Sequence, residues 1–147
     1  MEKELNVVGT RVPMLDAALK AKGAALFTDD LVLPGMLHGR ILRSPMPHAR
    51  IRHIDTSRAE KLPGVKGVVT GRDIPDRMYG IVPKAKDERA LARDKVRYIG
   101  DDVAAVCAVD PETAEEALAL ITVEYEALPA VFDPLEAKKE GAPLIHE

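Results

Sequence analysis

The chain has few of the side chains that stack on bases. It contains no Trp, two Phe and three Tyr among 147 residues, so few rings are available for unpaired bases. Its formal net charge of −3 also lacks the excess of Lys and Arg that displaces counterions from a nucleic acid. Nucleic-acid binding is therefore not expected, and we expect a core of Val, Leu, Ile and Ala.

Cysteine and long apolar runs are equally scarce. Cys107 is the only cysteine, so it forms no disulfide within the chain and builds no zinc site by itself. No segment approaches the roughly 20 apolar residues that span a bilayer, and no apolar stretch follows the charged start of the chain. These absences predict a cytoplasmic protein that is neither exported nor inserted into a membrane.

The common phosphate-binding and catalytic motifs are missing as well. Neither the glycine pattern of dinucleotide-binding loops nor that of the P-loop occurs, so a nucleotide has no docking signature. His38, His48 and His53 have no nearby thiolate or carboxylate that would complete a metal site. Cys107 lies among Ala and Val, where a thiolate is disfavoured. No residue is therefore predicted to be catalytic, to bind a cofactor or to ligate a metal.

Two kinds of charged cluster remain as candidates. The adjacent carboxylates of Asp29-Asp30 and Asp101-Asp102 are typical of turns, because neighbours in a strand point to opposite faces. Two successive predicted strands, with few acids, carry Arg40, Arg43, Arg50 and Arg52. If these strands are neighbours, they form a basic face for an anionic ligand or an acidic partner. The alternative is a solvated face balanced by the acids of residues 98–137, which include no Lys or Arg.

Turn residues and periodicity divide the chain into an arm and one domain. Residues 1–35 predict an extended, polar N-terminal arm that ends at the turn Pro34-Gly35. Residues 36–147 predict an α+β domain with short strands in a mixed sheet. Strands are expected over 36–44, 49–55, 65–70, 103–109 and 121–126, a short helix over 58–62, and irregular chain over 71–95.

A strand–helix–strand unit near the C-terminus gives the clearest pattern. The apolar run Val103–Val109 predicts a strand covered on both faces. Asp110-Pro111 predicts the N-cap and the first residue of a helix. One apolar stripe recurs at helical spacing, formed by Ala114, Ala117, Leu118 and Ile121. The helix either crosses over to a parallel strand of the same sheet or returns the chain to an antiparallel strand. The residue pattern is compatible with both connections.

Eight stretches carry a family resemblance that covers nearly the whole chain. They are Asp29–Ile51, Ile54–Ser57, Leu62–Val65, Gly71–Pro75, Asp94–Val106, Ala114–Ala117, Val123–Val131 and Gly141–Glu147. In this order they resemble the α/β-hammerhead domain of the xanthine dehydrogenase and aldehyde oxidase family of molybdenum hydroxylases. Within the family, Tyr79–Pro83 and Leu91–Tyr98 resemble the large subunits of 4-hydroxybenzoyl-CoA reductases most.

The resemblance implies an N-terminal hammerhead domain, as a fragment or a small subunit, of a molybdopterin-dependent oxidoreductase. In the family the residues after this domain bind molybdopterin, and iron–sulfur and flavin partners pass electrons. The resemblance therefore assigns no catalytic, cofactor-binding or metal residue to this chain. It implies a role in supporting the molybdopterin domain and substrate access, with the molybdopterin-binding domain or subunit and the iron–sulfur subunit as partners.

Further expectations depend on that resemblance. The candidate arginines, Arg40, Arg43, Arg50 and Arg52, would contact an acidic partner surface or the phosphates of a CoA thioester. The isolated domain is expected to self-associate through surfaces that a partner would otherwise cover. The alternative function is that of a stand-alone, non-catalytic binding or scaffold protein with the same fold.

Overall fold

The computed structural model describes residues 7–82 and 86–146. Residues 1–6, 83–85 and 147 lie outside the described residues, and with them the start of the predicted arm and part of the predicted irregular connection. Contacts divide the chain into two units, Met1–Pro34 and Gly35–Glu147. Within the described ranges, no helix is long and apolar enough to cross a membrane.

The first unit contains a helical turn, α1 (Ala17–Ala21), and a 3-10 helix over Thr28–Asp30. None of its described residues is buried. The prediction of an extended chain is wrong for these two segments. In α1 the sequence AALKA has high helix propensity, and Lys20 pairs with Asp16 one turn earlier at 2.7 Å.

The second unit contains six strands and three helices among its described residues. They are β1 (His38–Arg43), β2 (Ala49–Asp55), α2 (Ser57–Glu60), β3 (Val65–Thr70), β4 (Lys95–Val96), β5 (Asp102–Ala108), α3 (Pro111–Leu120), β6 (Thr122–Ala127) and α4 (Pro134–Ala137). The five predicted strands are confirmed to within two residues at each end. The predicted helix over 58–62 corresponds to α2, whereas β4 and α4 were not predicted.

The six strands form two antiparallel sheets. The first sheet has the order β1-β5-β3 and the second sheet has the order β4-β2-β6. All pairings between the described strands are antiparallel, so the prediction of a mixed sheet is wrong. The predicted strand–helix–strand unit exists, but it joins the two sheets. Only Ile121 separates α3 from β6. A connection this short cannot bring β6 back to lie beside β5 in the same sheet.

The central strand of the first sheet contributes to both parts of the core. Ala104 and Val106 of β5 pack with Ala59 of α2 and Ala117 of α3. Val103 points the other way and packs with a group from the second sheet and the chain before it: Ala49, Ile51, Ala92 and Val96. The prediction of a strand covered on both faces is confirmed for Val103, Ala104, Val106 and Ala108, which are buried, whereas Ala105 and Cys107 are half-buried and Val109 is exposed.

Helix α3 begins where the sequence predicts. The Thr113 N–H donates to Asp110 Oδ1 at 2.6 Å, and Pro111 occupies the first helical position, where it has no N–H to satisfy. Ala114 and Ala117 of the predicted stripe are buried against the first sheet. The same Asp-Pro signal, with Asp133 as the N-cap, starts α4.

His48 ties the loop before β2 to the segment after β6. Its side chain is only 4% exposed, and its Nδ1 lies 2.6 Å from the Pro129 carbonyl oxygen. Because a carbonyl only accepts, Nδ1 carries the proton. The His48 carbonyl oxygen accepts from the Leu128 N–H at 2.9 Å, so two hydrogen bonds hold the same crossing point.

We expect His48→Ala to lower the free energy of unfolding by about 1–3 kcal/mol, because it empties a buried position and leaves the Pro129 carbonyl unpaired. Urea denaturation followed by circular dichroism measures the change. His53→Ala is the matched control, since His53 is exposed, and should stay within about 0.5 kcal/mol of the native chain. Equal effects of the two substitutions would contradict this role of His48.

Gly71 marks a close backbone approach at the end of β3. A Cβ at this position would lie 2.5 Å from the Ala92 carbonyl oxygen. We expect Gly71→Ala to destabilise the chain by about 1–3 kcal/mol, since backbone must move. Gly39→Ala is the control, because a Cβ there meets only Val106 O at 4.0 Å, and it should be neutral or stabilising. A tolerated Gly71→Ala in the same urea titration would disprove the close approach.

Candidate functional site

The four candidate arginines do not lie on neighbouring strands. Arg40 and Arg43 lie on β1 of the first sheet, whereas Arg50 and Arg52 lie on β2 of the second sheet. The expectation that these strands are adjacent is wrong, because the connection 44–48, with prolines at 45 and 47, carries the chain between the sheets. The structure therefore divides the predicted basic face into two separate pairs.

Three of these arginines form ion pairs with acids of the C-terminal half. The pairs are Arg40–Glu115 (Nε to Oε2, 3.5 Å), Arg43–Asp102 (Nη1 to Oδ1, 2.8 Å) and Arg52–Glu126. Arg43 also donates to the Gly100 carbonyl oxygen at 3.0 Å. Exposed pairs of this kind contribute roughly 0–1 kcal/mol each, so their main effect is to balance charge locally.

Arg50 differs from the other three. Its side chain is exposed and makes no ion pair or hydrogen bond within residues 7–82 and 86–146. In the strand register Arg50 is opposite Glu126, but the Glu126 carboxylate pairs with Arg52. Arg50 is thus the candidate arginine whose guanidinium remains available to a ligand or partner.

A cleft of 320 Å³ opens beside the start of β5. Its ionisable lining consists of Tyr79, Asp87, Glu88, Arg89, Arg97, Tyr98, Asp101, Asp102 and His146. Several of these groups are already paired. Arg89 Nε lies 2.7 Å from Asp76 Oδ1, which raises the pKa of Arg89 and lowers that of Asp76. His146 Nδ1 lies 3.6 Å from Asp87 Oδ2.

Asp101 closes the turn that forms one wall of the cleft. Its Oδ2 accepts from the Arg97 N–H at 2.9 Å, and its carbonyl oxygen accepts from the Ser44 N–H at 2.8 Å. Gly100, at φ +96°, supplies the left-handed conformation that the turn requires. The prediction that Asp101 is a turn residue is therefore confirmed. Burial raises the pKa of Asp101, although the Arg97 N–H acts in the opposite direction.

The residues of this chain do not fit an iron–sulfur cluster, and the described residues offer no ligand set for a metal ion. Iron–sulfur clusters take four cysteine thiolates, and Cys107 is the single cysteine. Within the described residues, no three His, Cys, Asp or Glu side chains are placed to hold a metal ion. The cleft is lined by four carboxylates together with Arg89 and Arg97, and Arg89 is already paired with Asp76. No redox step is therefore assigned to these side chains.

Sequence reasoning missed the cleft. Arg97, Tyr98 and His146 were not candidate residues, and His146 lies 59 positions after its partner Asp87. One signal was present, because the long irregular connection over 71–95 supplies Tyr79, Asp87, Glu88 and Arg89 to the lining. A long loop of this kind indicates a site without indicating which distant residues complete it.

Asp101→Asn removes a partly buried charge and keeps an oxygen that accepts from the Arg97 N–H. Because burial raises the folded-state pKa of Asp101, its ionised carboxylate opposes folding. The free energy of unfolding of the native chain, minus that of Asp101→Asn, should be greatest below about pH 4. It should fall as the pH rises through the folded-state pKa of Asp101. Urea denaturation of both chains between about pH 3 and pH 7 measures this slope.

Asp73→Asn is the matched control for Asp101→Asn. Two hydrogen bonds from Thr70 lower the pKa of Asp73, so its carboxylate stabilises the fold above the unfolded pKa and loses this effect in acid. The native chain should therefore gain stability relative to Asp73→Asn as the pH rises. Slopes of the same sign for the two variants would contradict the burial of Asp101.

Comparisons with known proteins identify the domain. Residues 22–129 match the family described as aldehyde oxidase and xanthine dehydrogenase, a/b hammerhead domain. The chain is 44% identical over 133 residues to a probable xanthine dehydrogenase subunit of Bacillus subtilis (strain 168), covering 90% of this chain and 18% of that protein. It is 40% identical over 147 residues to the nicotinate dehydrogenase large molybdopterin subunit of Eubacterium barkeri, covering 99% of this chain and 34% of that protein. It thus spans about a fifth to a third of the length of these relatives.

Solved structures agree on the fold. A crystal structure of the Cu,Mo-CO dehydrogenase superposes with a TM-score of 0.85 at 38% identity, covering 92% of this chain and 17% of that chain. The aldehyde oxidoreductase from Desulfovibrio gigas gives a TM-score of 0.84 at 33% identity, covering 91% of this chain and 16% of that chain. These matches confirm the hammerhead fold expected from the sequence. The chain therefore belongs to the α/β-hammerhead domain family of aldehyde oxidases and xanthine dehydrogenases.

Proposed function

We propose that this chain acts as the hammerhead domain of a molybdenum hydroxylase large subunit, which it supports without performing the redox chemistry itself. The family match over residues 22–129 carries the proposal. The relatives are longer than this chain, and one of them is named a large molybdopterin subunit. The absence of a metal-ligating cluster among the described residues is consistent with a supporting role.

In this proposal the immediate partner is the molybdopterin-binding domain or subunit. Iron–sulfur and flavin partners complete the electron path of the assembled enzyme. Packing of the hammerhead domain beside the molybdopterin region would also shape the route by which substrate enters. Arg50 is the best placed of the four arginines to meet an acidic partner surface, because its guanidinium has no carboxylate partner among the described residues.

The substrate class is a narrower proposal. The resemblance of Tyr79–Pro83 and Leu91–Tyr98 to 4-hydroxybenzoyl-CoA reductases supports an aryl-CoA thioester, although residues 83–85 lie outside the described structure. Other relatives are named for xanthine, nicotinate and carbon monoxide, and these are the alternatives to an aryl-CoA thioester. A cytoplasmic location is proposed with it, supported by the single cysteine.

A chimeric enzyme tests the supporting role. We expect this chain to replace its counterpart in the carbon monoxide dehydrogenase large chain of Afipia carboxidovorans, to which it is 39% identical over 147 residues. The chimera should assemble and retain molybdenum by elemental analysis, because the replaced domain supplies packing surface and no metal ligand.

The isolated chain is the control for that chimera. It should contain no stoichiometric molybdenum and oxidise no purine, aldehyde or aryl-CoA thioester. Stoichiometric molybdenum in the isolated chain would reveal a cofactor site that its residues do not suggest. If the chimera fails to assemble while the native enzyme, prepared in parallel, assembles, the result would favour the alternative function of a stand-alone scaffold protein.

A further inference from the structure

One face of the first sheet is apolar and uncovered. The register places Cys107 between Gly39 and Gly67, and it places Ala105 between the side chains of two aliphatic residues on the flanking strands. We call these six residues the outer face: Gly39, Ile41, Gly67, Val69, Ala105 and Cys107. None of them is charged. A Cβ on Gly67 would lie 3.4 Å from Cys107 Sγ, which places these two residues on the same side of the sheet.

The outer face lies opposite the helices. Ala104 and Val106 alternate with Ala105 and Cys107 along β5, and they pack on α2 and α3. Ile41 is 42% exposed and Val69 is 40% exposed. An antiparallel sheet with one solvated face normally alternates apolar and polar residues, but β5 has no charged or hydroxyl side chain after Asp102. The composition of β5 is therefore that of a strand buried on both sides along its whole length.

One end of this face is already covered. Val103 precedes Ala105 by two residues on the same side of β5 and is fully buried. It packs with Ala49, Ile51 and Val96, which belong to the second sheet. The layer that covers Val103 does not fully cover the next row of this side, that of Ala105, where Ile41 and Val69 remain in contact with water. A segment that continues this layer would complete the burial of β5.

We propose that uncharged, aliphatic side chains of the molybdopterin-bearing polypeptide, whether joined to this chain or separate, cover the outer face. The inference rests on the proposed function, which supplies such a polypeptide. Gly39 and Gly67 carry no side chains on either side of Cys107, and the space above Gly39 is open, since nothing nearer than Val106 O, at 4.0 Å, would meet a Cβ there. Branched aliphatic side chains fit such a space, whereas a charged partner would find no counter-charge there.

A second copy of this chain is a poorer occupant. A stable interface buries roughly 800 Å² of each partner, and six small or half-buried residues provide far less than this. The contact is better suited to a polypeptide that is held by additional surface elsewhere, as in contacts between the domains of one chain. The outer face therefore fits the molybdopterin-bearing polypeptide better than a second copy of this chain.

Cys107 makes the proposal measurable, because it is the only cysteine and lies on the outer face. In the isolated chain, N-ethylmaleimide should alkylate Cys107 at a measurable rate. In the chimeric carbon monoxide dehydrogenase, alkylation of the same peptide, followed by mass spectrometry, should be about tenfold slower because the face is covered. Both proteins unfolded in urea should react at the same rate, which controls for intrinsic thiol reactivity.

Charged substitutions on the outer face provide the second measurement. Val69→Lys and Ile41→Lys should leave the circular dichroism of the isolated chain unchanged, because both side chains are about 40% exposed. Each should reduce the yield of assembled, molybdenum-containing chimera about tenfold, since a lysine would be buried at the contact. Met78→Lys is the matched control at 43% exposure and should assemble like the unsubstituted chimera.

The outcomes separate this inference from the proposed function. An unsubstituted chimera that does not assemble contradicts the proposed function, and the inference with it. A chimera that assembles while Cys107 reacts as fast as in the isolated chain, or with Val69→Lys tolerated, overturns only the assignment of the outer face. Slow alkylation of the isolated chain also overturns it, and light scattering then tests whether the chain has self-associated.

Discussion

The pairing of β5 with β1 and β3 is the constraint on which the rest of the domain depends. β5 lies between these strands, and neither has another strand partner among the described residues. Its alternate side chains pack on α2 and α3, while Val103 joins the cluster of the second sheet. The apolar residues Val103, Ala104 and Val106 make this possible, because a polar side chain at these buried positions would have no partner. Both core clusters therefore share one strand.

Local signals account for the parts of the fold that the sequence predicts well. The bounds of β2 and the start of α3 at Asp110-Pro111 follow from alternation and capping, which operate within a few residues. The division into two sheets does not follow, because alternation determines the face of a strand and leaves its partner open. β4 has two residues, too few for any periodic pattern. The mixed-sheet prediction failed because a helix between two strands is typical of parallel crossovers.

The sequence predicts which stretches carry the basic and the acidic residues, but it does not predict which of these residues pair. The sequence shows a stretch over 36–58 that is rich in arginine and a stretch over 98–137 that has acids and no Lys or Arg. The structure pairs arginines of the first stretch with Glu115, Asp102 and Glu126 of the second. Which arginine meets which carboxylate depends on sheet topology, so Arg50 could not be distinguished from its neighbours beforehand. The cleft likewise joins residues from the long connection, the start of β5 and the C-terminal segment. Only tertiary contacts bring these three segments together.

The strand order has a consequence for synthesis. β1 and β3 pair only with β5, and both partners of β2 lie after residue 94, so the first three strands leave the ribosome without a partner. Among the described strands of the first hundred residues, only the two-residue β4 can pair with an earlier strand, so the nascent chain exposes most of its apolar strands until the last third emerges. Pairing over such separations in sequence also slows folding. Completion of both sheets therefore waits for the last third of the domain, since β5 and β6 supply the partners of all the earlier long strands.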